Sequence, residues 1–440
     1  MRNLNTKLAL TLAIAFGTNF SLPLIGSAAA ENPSRPKLPV VEKYASQFKD
    51  ENKQLETMFR AGLLNAVQRQ SFNKPDGTIY VQTGDIPAEW LRDSSAQVRP
   101  YLYFAKEDPQ SREYLKKVIA RQAAYVLVDP YANAFKENNG VWEQKYELDS
   151  LCYPIILAWT YWQQTGDKSI FTPEFDKAMN KAVDLMILEQ NHDKNSKYTH
   201  PELTAKEPDR PAKECGMVWS GFRPSDDACQ YHYLIPSEMM AVVALRGLEQ
   251  IELSVYNNKS FASKISVLKK QIDSGIKKHG IVEDKKFGKV FAFEVDGAGN
   301  YSLGDDANIP SLLAAPYLGY VKINDPIYQN TRRLILSNAN HNFASGSVAS
   351  GIGSEHTPKG YVWPLAMVMQ GLTSSSQSEL DKVVKELLAC DPGDHLLHES
   401  FNPNQPTEYT RPDFGWPNAL FAELLMLKMQ KRAELPVPNE

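Results

Sequence analysis

This chain of 440 residues has few cysteines, few long apolar runs and no excess of positive charge. Four cysteines are too few for a disulfide framework in a chain this long, although Cys215 and Cys229 could pair in an oxidising compartment. Beyond the N-terminal segment no run approaches the ~20 apolar residues of a membrane-spanning helix, so we expect none. The formal net charge of −4 argues against a nucleic-acid partner.

Several familiar catalytic motifs are also missing. The chain has no phosphate-cradling G-x-x-x-x-G-K, no dinucleotide-binding fingerprint and no G-x-S-x-G nucleophile turn. The string "HLLHE" places His395 and His398 three residues apart, whereas the zinc-protease motif needs histidines four apart with the glutamate between them. We therefore expect no metal and no other cofactor.

The N-terminal segment has the pattern of an export signal. Arg2 and Lys7 precede or flank an apolar run at 8–16, and small residues at 28–30 precede Glu31. We expect residues 1–30 to be removed and the remainder to be periplasmic or secreted. Because no Gly/Ser-rich or Pro-rich linker interrupts residues 31–440, we predict one domain over that range.

Prolines that open apolar segments recur along the chain. Each follows a group of polar and aromatic residues, as expected for a proline in the first turn of a helix. They are Pro100, Pro154, Pro236, Pro310, Pro364 and Pro417. Between them lie segments with a single apolar stripe, at 46–71, 111–128, 172–190, 261–278, 325–338 and 376–391. In the last of these, Ser376 and Glu379 can form a capping box.

Alternation of two kinds of helix indicates two concentric rings. A helix that is apolar all round must be buried on every side, whereas a helix with one stripe covers it from outside. We therefore predict an all-α (α/α)6 toroid in which six polar clusters converge at one rim. Residues 281–304 contain short alternating runs and glycines, which predict a β-hairpin near that rim. A helical repeat protein is the alternative, but no repeat consensus is present.

The polar clusters combine carboxylates, arginines and aromatic rings. This mixture is typical of a sugar site, because paired donors and acceptors hold hydroxyl groups while ring faces pack on pyranoses. The predicted substrate-binding residues are Arg92, Asp93, Glu147, Asp149, Arg223, Asp227, Asp305, Asp306, Asn308, His356, Trp363, Arg411 and Trp416.

Two carboxylates stand out as candidates for glycoside cleavage, which needs one protonated carboxyl group and a second carboxylate opposite it. We favour Asp226 as the acid, with Asp227 close behind, because a like-charged neighbour can raise one of the two pKa values. Glu399 lies in a segment too broken by Asn and Pro to be a core helix, and it is the candidate for the second group. Asp226 and Asp227 could instead cap a helix, and Glu399 could be a surface glutamate.

Several long strings resemble glycoside hydrolase family 125, the exo-α-1,6-mannosidases. They are "WLRDSSAQVRPYL", "YELDSLCYPI", "GMVWSGFRPSDDACQYHYLIPSEMMAVVAL", "DDANIPSLLAAPYLGY", "GSEHTPKGYVWPLAMVMQGLTS" and "HESFNPNQPTEYTRPDFGWPNALFAELL". The resemblance implies an (α/α)6 barrel, no required metal, and removal of terminal mannose from α-1,6 linkages of mannose-containing oligosaccharides with inversion. It also implies that Asp226 is the acid and Glu399 the base.

Two other functions stay open at this point. One is an inverting toroid hydrolase that acts on glucosides, and the other is a non-catalytic sugar receptor that has kept the pocket without turnover. The natural glycan and the oligomeric state are left open by the sequence.

Overall fold

The structure is a computed structural model that describes residues 35–50, 52–206 and 212–429. The predicted export signal lies outside the described residues, so cleavage and export remain predictions. The helices of the described ranges are α1 (Pro39–Gln47), α2 (Lys53–Asn65), α3 (Leu91–Val98), α4 (Leu102–Ala105), α5 (Pro109–Val128), α6 (Leu148–Thr165), α7 (Pro173–Glu189), α8 (His192–Asn195), α9 (Pro201–Lys206), α10 (Ile235–Ile251), α11 (Lys259–His279), α12 (Pro326–Ile335), α13 (Pro364–Leu372), α14 (Gln377–Ala389) and α15 (Gly415–Met429).

Short strands connect many of these helices, and every pairing between them is antiparallel. They are β1 (Ser71–Asn73), β2 (Ile79–Val81), β3 (Glu89–Trp90), β4 (Ala134–Phe135), β5 (Val141–Glu143), β6 (Tyr233–Leu234), β7 (Ile281–Asp284), β8 (Gly288–Phe291), β9 (Glu294–Val295), β10 (Tyr301–Ser302), β11 (Phe343–Ser345), β12 (Ser350–Ile352), β13 (Ser400–Asn402) and β14 (Gln405–Thr410). Residues 281–304 were predicted to form one β-hairpin but form two, β7–β8 and β9–β10, and β9 also pairs with β6.

Pro236, Pro364 and Pro417 open inner helices as predicted, but Pro154 lies inside α6 and Pro100 follows α3, whose polar residues are themselves helical. Helix α3 contacts both α6 and α15, α6 contacts α10, and α13 contacts α15, so the first and last inner helices close the ring. The striped helices α2, α5, α7, α11, α12 and α14 cover it from outside. Among the described residues, one large hydrophobic core runs from Leu38 to Met426, and a small second cluster holds Ala88, Trp90 and Ala134. The predicted (α/α)6 toroid is confirmed.

One inner position is not a regular helix. The segment that begins at Pro310 forms consecutive turns, although the apolar run there predicts a helix. A second proline, Pro316, cannot donate a helical hydrogen bond, and Gly319 has a φ of 84°. The carboxylate of Asp305 also accepts hydrogen bonds from the backbone N–H groups of Leu312 and Leu313, at 2.8 and 2.9 Å. At this position the inner ring therefore contains turns capped by the Asp305 side chain, where a helix was expected.

Two local predictions change in the same way. Ser376 accepts a hydrogen bond from the Glu379 backbone N–H, but the Glu379 carboxylate bonds Arg332 and Ser374, so only half of the capping box forms. All four cysteines are unpaired, so the bond considered between Cys215 and Cys229 is absent. Among the described residues, no helix combines the length and apolar character needed to cross a membrane.

Close packing between two inner helices generates a stability prediction. A Cβ atom at Gly247 of α10 would lie 2.4 Å from the Trp159 ring of α6, which is fully buried. We expect Gly247→Ala to lower the free energy of unfolding by about 1–3 kcal/mol through overpacking. Urea denaturation of the purified protein measures this change.

Gly371→Ala is the matched control, because it also adds one methyl group inside an inner helix. Its Cβ would meet flexible side-chain ends of Leu380 and Val383 at 3.3 and 3.4 Å. The expected loss is smaller, and an equal loss in the two variants would contradict the packing argument.

Candidate active site

A cavity of about 210 Å³ opens at the end of the toroid where the inner helices begin. Its walls come from the segments that precede or open α3, α10, α13 and α15, together with Asn308. Eight of the predicted site residues line it: Arg92, Asp93, Asp226, Asn308, His356, Trp363, Glu399 and Arg411. Polar clusters far apart in sequence therefore converge at one rim.

Arg92 holds the acidic side of the cavity together. Its guanidinium contacts four carboxylates, at 2.5 Å for Glu147, 3.3 Å for Asp149, 3.2 Å for Asp226 and 3.6 Å for Asp93. Glu147 and Asp149 do not line the cavity, because they lie behind Arg92 at the start of α6 and are fully buried. Burial raises the pKa of Asp149 and of Asp93 to about 6, against the lowering effect of the Arg92 charge.

Asp226 reaches the cavity from a left-handed backbone conformation, with a φ of 64°. Asn133 Nδ2 donates to its carboxylate at 3.2 Å, and Lys145 Nζ donates to its backbone carbonyl at 2.9 Å. Burial disfavours the charged form of Asp226. The Arg92 charge, helped by Lys145 and His356, outweighs burial, so the pKa of Asp226 lies below its ordinary value.

Asp227 does not line the cavity. Its carboxylate accepts a hydrogen bond from Ser225 Oγ at 2.9 Å and lies 3.7 Å from His356 Nδ1. That contact raises the pKa of His356 to about 9, while the pKa of Asp227 is lowered despite burial. The expectation that one of these two aspartates has a raised pKa is therefore wrong, because Asp226 contacts Arg92 and Asp227 contacts His356.

Glu399 immediately precedes β13 and lies beside Arg411, which follows β14. Arg411 Nη1 is 3.6 Å from Glu399 Oε1, and its other nitrogens bond Asp85 and the carbonyl of Thr83. Arg411 also has a left-handed backbone, with a φ of 52°, and His398 Nδ1 donates to its carbonyl oxygen at 3.0 Å. The β13–β14 hairpin thus brings Glu399 and its arginine to the cavity together.

Aromatic rings form the apolar part of the wall. Trp363 packs edge-to-face on Phe414, with ring centroids 6.2 Å apart, and its indole N–H donates to Thr357 at 2.9 Å. Trp90 lines the cavity as well. Rings beside paired donors and acceptors are the arrangement that binds pyranose rings.

Four other predicted residues lie outside this cavity. Asp306 accepts hydrogen bonds from Ser354 and from Asn308, so it orients an amide that lines the cavity. Arg223 is occupied by Glu294 and Glu355. Asp305 caps the turns after Pro310, as described above. Trp416 lies in the wall of a separate small cavity beside Tyr153.

Sequence reasoning did not single out Asn133 or Lys145, which both bond Asp226. Asn133 lies next to β4 in "YANAF", and Lys145 follows β5, so neither belongs to a proline-marked cluster. Among the described residues, no group of three His, Cys, Asp or Glu side chains is arranged to hold a metal ion. His395 and His398 instead contact Asp391 and the Arg411 carbonyl.

Comparison with known proteins agrees with this geometry. Residues 50–426 match the model of the GH125 family, described as metal-independent α-mannosidases. This chain belongs to that family. It is 37% identical over 399 residues to the Meiotically up-regulated gene 157 protein of Schizosaccharomyces pombe. The aligned region covers 82% of this chain and 78% of that protein. Family membership makes it a glycoside hydrolase, and the non-catalytic receptor is set aside.

Solved structures support the same assignment. A Streptococcus pneumoniae metal-independent α-mannosidase, in a non-productive complex with α-1,6-mannobiose, is 40% identical with a TM-score of 0.84, covering 90% of this chain and 97% of that one. A bacterial glucoamylase complexed with acarbose has a TM-score of 0.60 at 13% identity, covering 90% of this chain and 58% of that one. The second likeness shows the fold alone.

The four carboxylates around Arg92 generate a stability prediction. Arg92→Leu leaves buried carboxylates without their cation, so we expect a loss of about 3–5 kcal/mol in the free energy of unfolding. Removing the cation raises the folded-state pKa values further, and protonation at lower pH relieves the repulsion. The loss should therefore be smaller at about pH 5 than at about pH 7.5, as measured by urea denaturation.

Arg332→Leu is the matched control, since Arg332 pairs with one carboxylate, Glu379, at 2.9 Å. It should cost less, with little change between the two pH values. A pH-independent loss for Arg92→Leu would contradict the charge argument.

Proposed function

We propose that this α-mannosidase is exo-acting and removes terminal mannose from α-1,6-linked oligosaccharides with inversion at the anomeric carbon. The observation that carries the proposal is that Asp226 and Glu399, 173 positions apart in sequence, line one small cavity. Its ~210 Å³ is below the roughly 300–1,000 Å³ of clefts for drug-sized ligands, which favours a single terminal sugar ring over an extended chain. Binding of α-1,6-mannobiose by the Streptococcus pneumoniae relative favours the linkage.

The two carboxylates have environments suited to different roles. Asp226 shares Arg92 with three other carboxyl groups and shares Asn133 with Glu147, and this crowding of buried acids favours a proton near the departing oxygen. Glu399 lies beside Arg411, with His398 and the hairpin fixing its position. In the proposed reaction, Asp226 gives its proton to the glycosidic oxygen as the bond to the anomeric carbon breaks. Glu399 removes a proton from the water that attacks the opposite face.

The remaining cavity residues bind and orient the sugar. Arg92, Asp93 and Asn308 offer donors and acceptors to hydroxyl groups, and Trp363 supplies an apolar ring beside them. His356, with its raised pKa, adds a cationic donor at the mouth. In an inverting pair, a separation of roughly 6.5–9.5 Å between carboxyl groups leaves room for the attacking water.

Substitution of the two aspartates separates their roles. We expect Asp226→Asn to lower kcat on α-1,6-mannobiose by about 100- to 10,000-fold, as for loss of a general acid. Asp227→Asn should cost less, because Asp227 does not line the cavity. The reverse ranking would move the acid by one residue.

The stereochemistry is tested by following free mannose with proton NMR from the first minutes of the reaction. β-Mannose should form first and then mutarotate, and α-mannose forming first would exclude inversion. A panel of mannobioses in the same assay tests the linkage, with faster cleavage of any other linkage contradicting the α-1,6 preference. Glu399→Gln should abolish release from every substrate in the panel.

A further inference from the structure

The carboxyl groups of Glu147 and Asp226 form a connected pair. Arg92 bridges them, with Nη1 2.5 Å from Glu147 and Nη2 3.2 Å from Asp226. Asn133 Nδ2 bridges them again, at 3.3 Å from Glu147 and 3.2 Å from Asp226. The same Asn133 nitrogen therefore contacts both carboxyl groups, which makes them neighbours. Since ionised carboxylates only accept, a direct bond between them requires a proton on one of the two.

The charge around the pair points to the same conclusion. The groups that face it are Arg92, Asp93, Glu143, Lys145, Asp149 and His356, and the charge of Glu147 also acts on Tyr198 and Cys229. Four carboxylates share one guanidinium, and the Lys145 ammonium is shared with Glu143 and Glu202. Buried like charges at this density cannot all stay ionised, so at least one carboxyl group is protonated.

Burial decides which of the two holds the proton when the cavity contains no sugar. The Glu147 side chain has no exposed surface, whereas 20% of the Asp226 side chain is exposed and lines the cavity. Burial raises the pKa of Glu147 well above its ordinary value, and the charges of Asp226 and Asp149 add to that effect against Arg92. The charged form therefore belongs to Asp226 and the neutral form to Glu147.

We propose that Glu147 stores the proton that Asp226 delivers to the departing sugar and passes it to the neighbouring Asp226 carboxylate when substrate fills the cavity. This inference rests on the proposed role of Asp226 as the acid. A seated sugar displaces water from Asp226, which disfavours its charge and draws the proton across. Arg92 and Asn133 contact both carboxyl groups, so the bridging donors stay in place during the transfer.

The proton balance closes over one turnover. Asp226 loses its proton to the glycosidic oxygen, and Glu399 gains one from the attacking water. After the products leave, Glu399 releases its proton to solvent and the Glu147–Asp226 pair takes one up. Glu147 does not touch the substrate in this scheme, so it is a positioning and proton-storing residue rather than a catalytic one.

The test compares two substrates in Glu147→Gln, which keeps the shape and the hydrogen bonds but cannot store a proton. We expect kcat on α-1,6-mannobiose to fall about 100-fold, within the range for lost acid catalysis. An aryl α-mannoside with a strongly acidic phenol needs no proton on its leaving group, so its kcat should change little. Its continued turnover also shows that the variant is folded.

The pH profile supplies a readout that a purely structural role would not move. The pair donates only while it holds a proton, so activity is lost as pH rises through the raised pKa of Glu147. Glu147→Gln leaves Asp226, whose pKa lies below its ordinary value, so the alkaline limb should move to lower pH. Ser150→Ala removes a 2.8 Å hydrogen bond to the Glu147 carboxylate and should move the limb to higher pH.

Asp149→Asn is the matched variant, because it removes another carboxylate from the same guanidinium. It should change kcat on both substrates by the same factor.

Infrared difference spectra near neutral pH add a measurement independent of activity: the carboxylic-acid C=O band of Glu147 should disappear in Glu147→Gln and persist in Asp149→Asn. Equal losses on both substrates with an unmoved alkaline limb, or an unchanged band, would overturn the inference. Failure of the proposed function would appear separately, as full activity of Asp226→Asn on mannobiose.

Discussion

The contact between one guanidinium and four carboxylates determines the character of this site. Arg92 lies at the start of α3, Glu147 and Asp149 at the start of α6, and Asp226 in the loop before α10, so one side chain ties three neighbouring parts of the inner ring together. Removing these groups from water is costly, and the attraction to Arg92 offsets only part of that cost because the acids outnumber it. The excess negative charge favours retention of a proton inside the rim, which is what glycoside cleavage requires of an acid.

The two sides of the cavity differ in how many carboxyl groups share each arginine. On the Arg92 side, carboxyl groups crowd together and compete for one cation, which favours a stored proton. On the Arg411 side, Glu399 meets one arginine that is itself divided among Asp85, the Thr83 carbonyl and Glu399. Asymmetry of this kind is how one fold can run acid and base chemistry at a single pH. The assignment of roles therefore follows from the number and burial of neighbours, since both groups are ordinary carboxylic acids.

Periodicity predicted the toroid because burial on all sides and burial on one side leave different traces in a helix, and α10 and α14 show the two patterns clearly. Pro236, Pro364 and Pro417 marked the rim, since they lie in the first turns of α10, α13 and α15, whereas Pro154 lies inside α6 and Pro100 follows α3. The sequence pattern did not predict which side chains would bond each other or the backbone. The Asp305 carboxylate captures backbone N–H groups after Pro310, and Asp227 finds His356 instead of repelling Asp226. Asn133 escaped because a single buried amide has no periodic signature, although it bonds both Glu147 and Asp226.

Backbone conformation completes the account of how the two carboxylates reach one cavity. Asp226 and Arg411 both have φ values in the left-handed region, which costs a residue with a side chain about 1–2 kcal/mol. In each case a cavity-lining residue is turned inward and its carbonyl is held by a side-chain donor, Lys145 for Asp226 and His398 for Arg411. These donors offset the unfavourable conformation and fix the direction in which the side chain points. The direction in which Asp226 and Arg411 point therefore depends on Lys145 and His398, whose side chains lie outside the cavity itself.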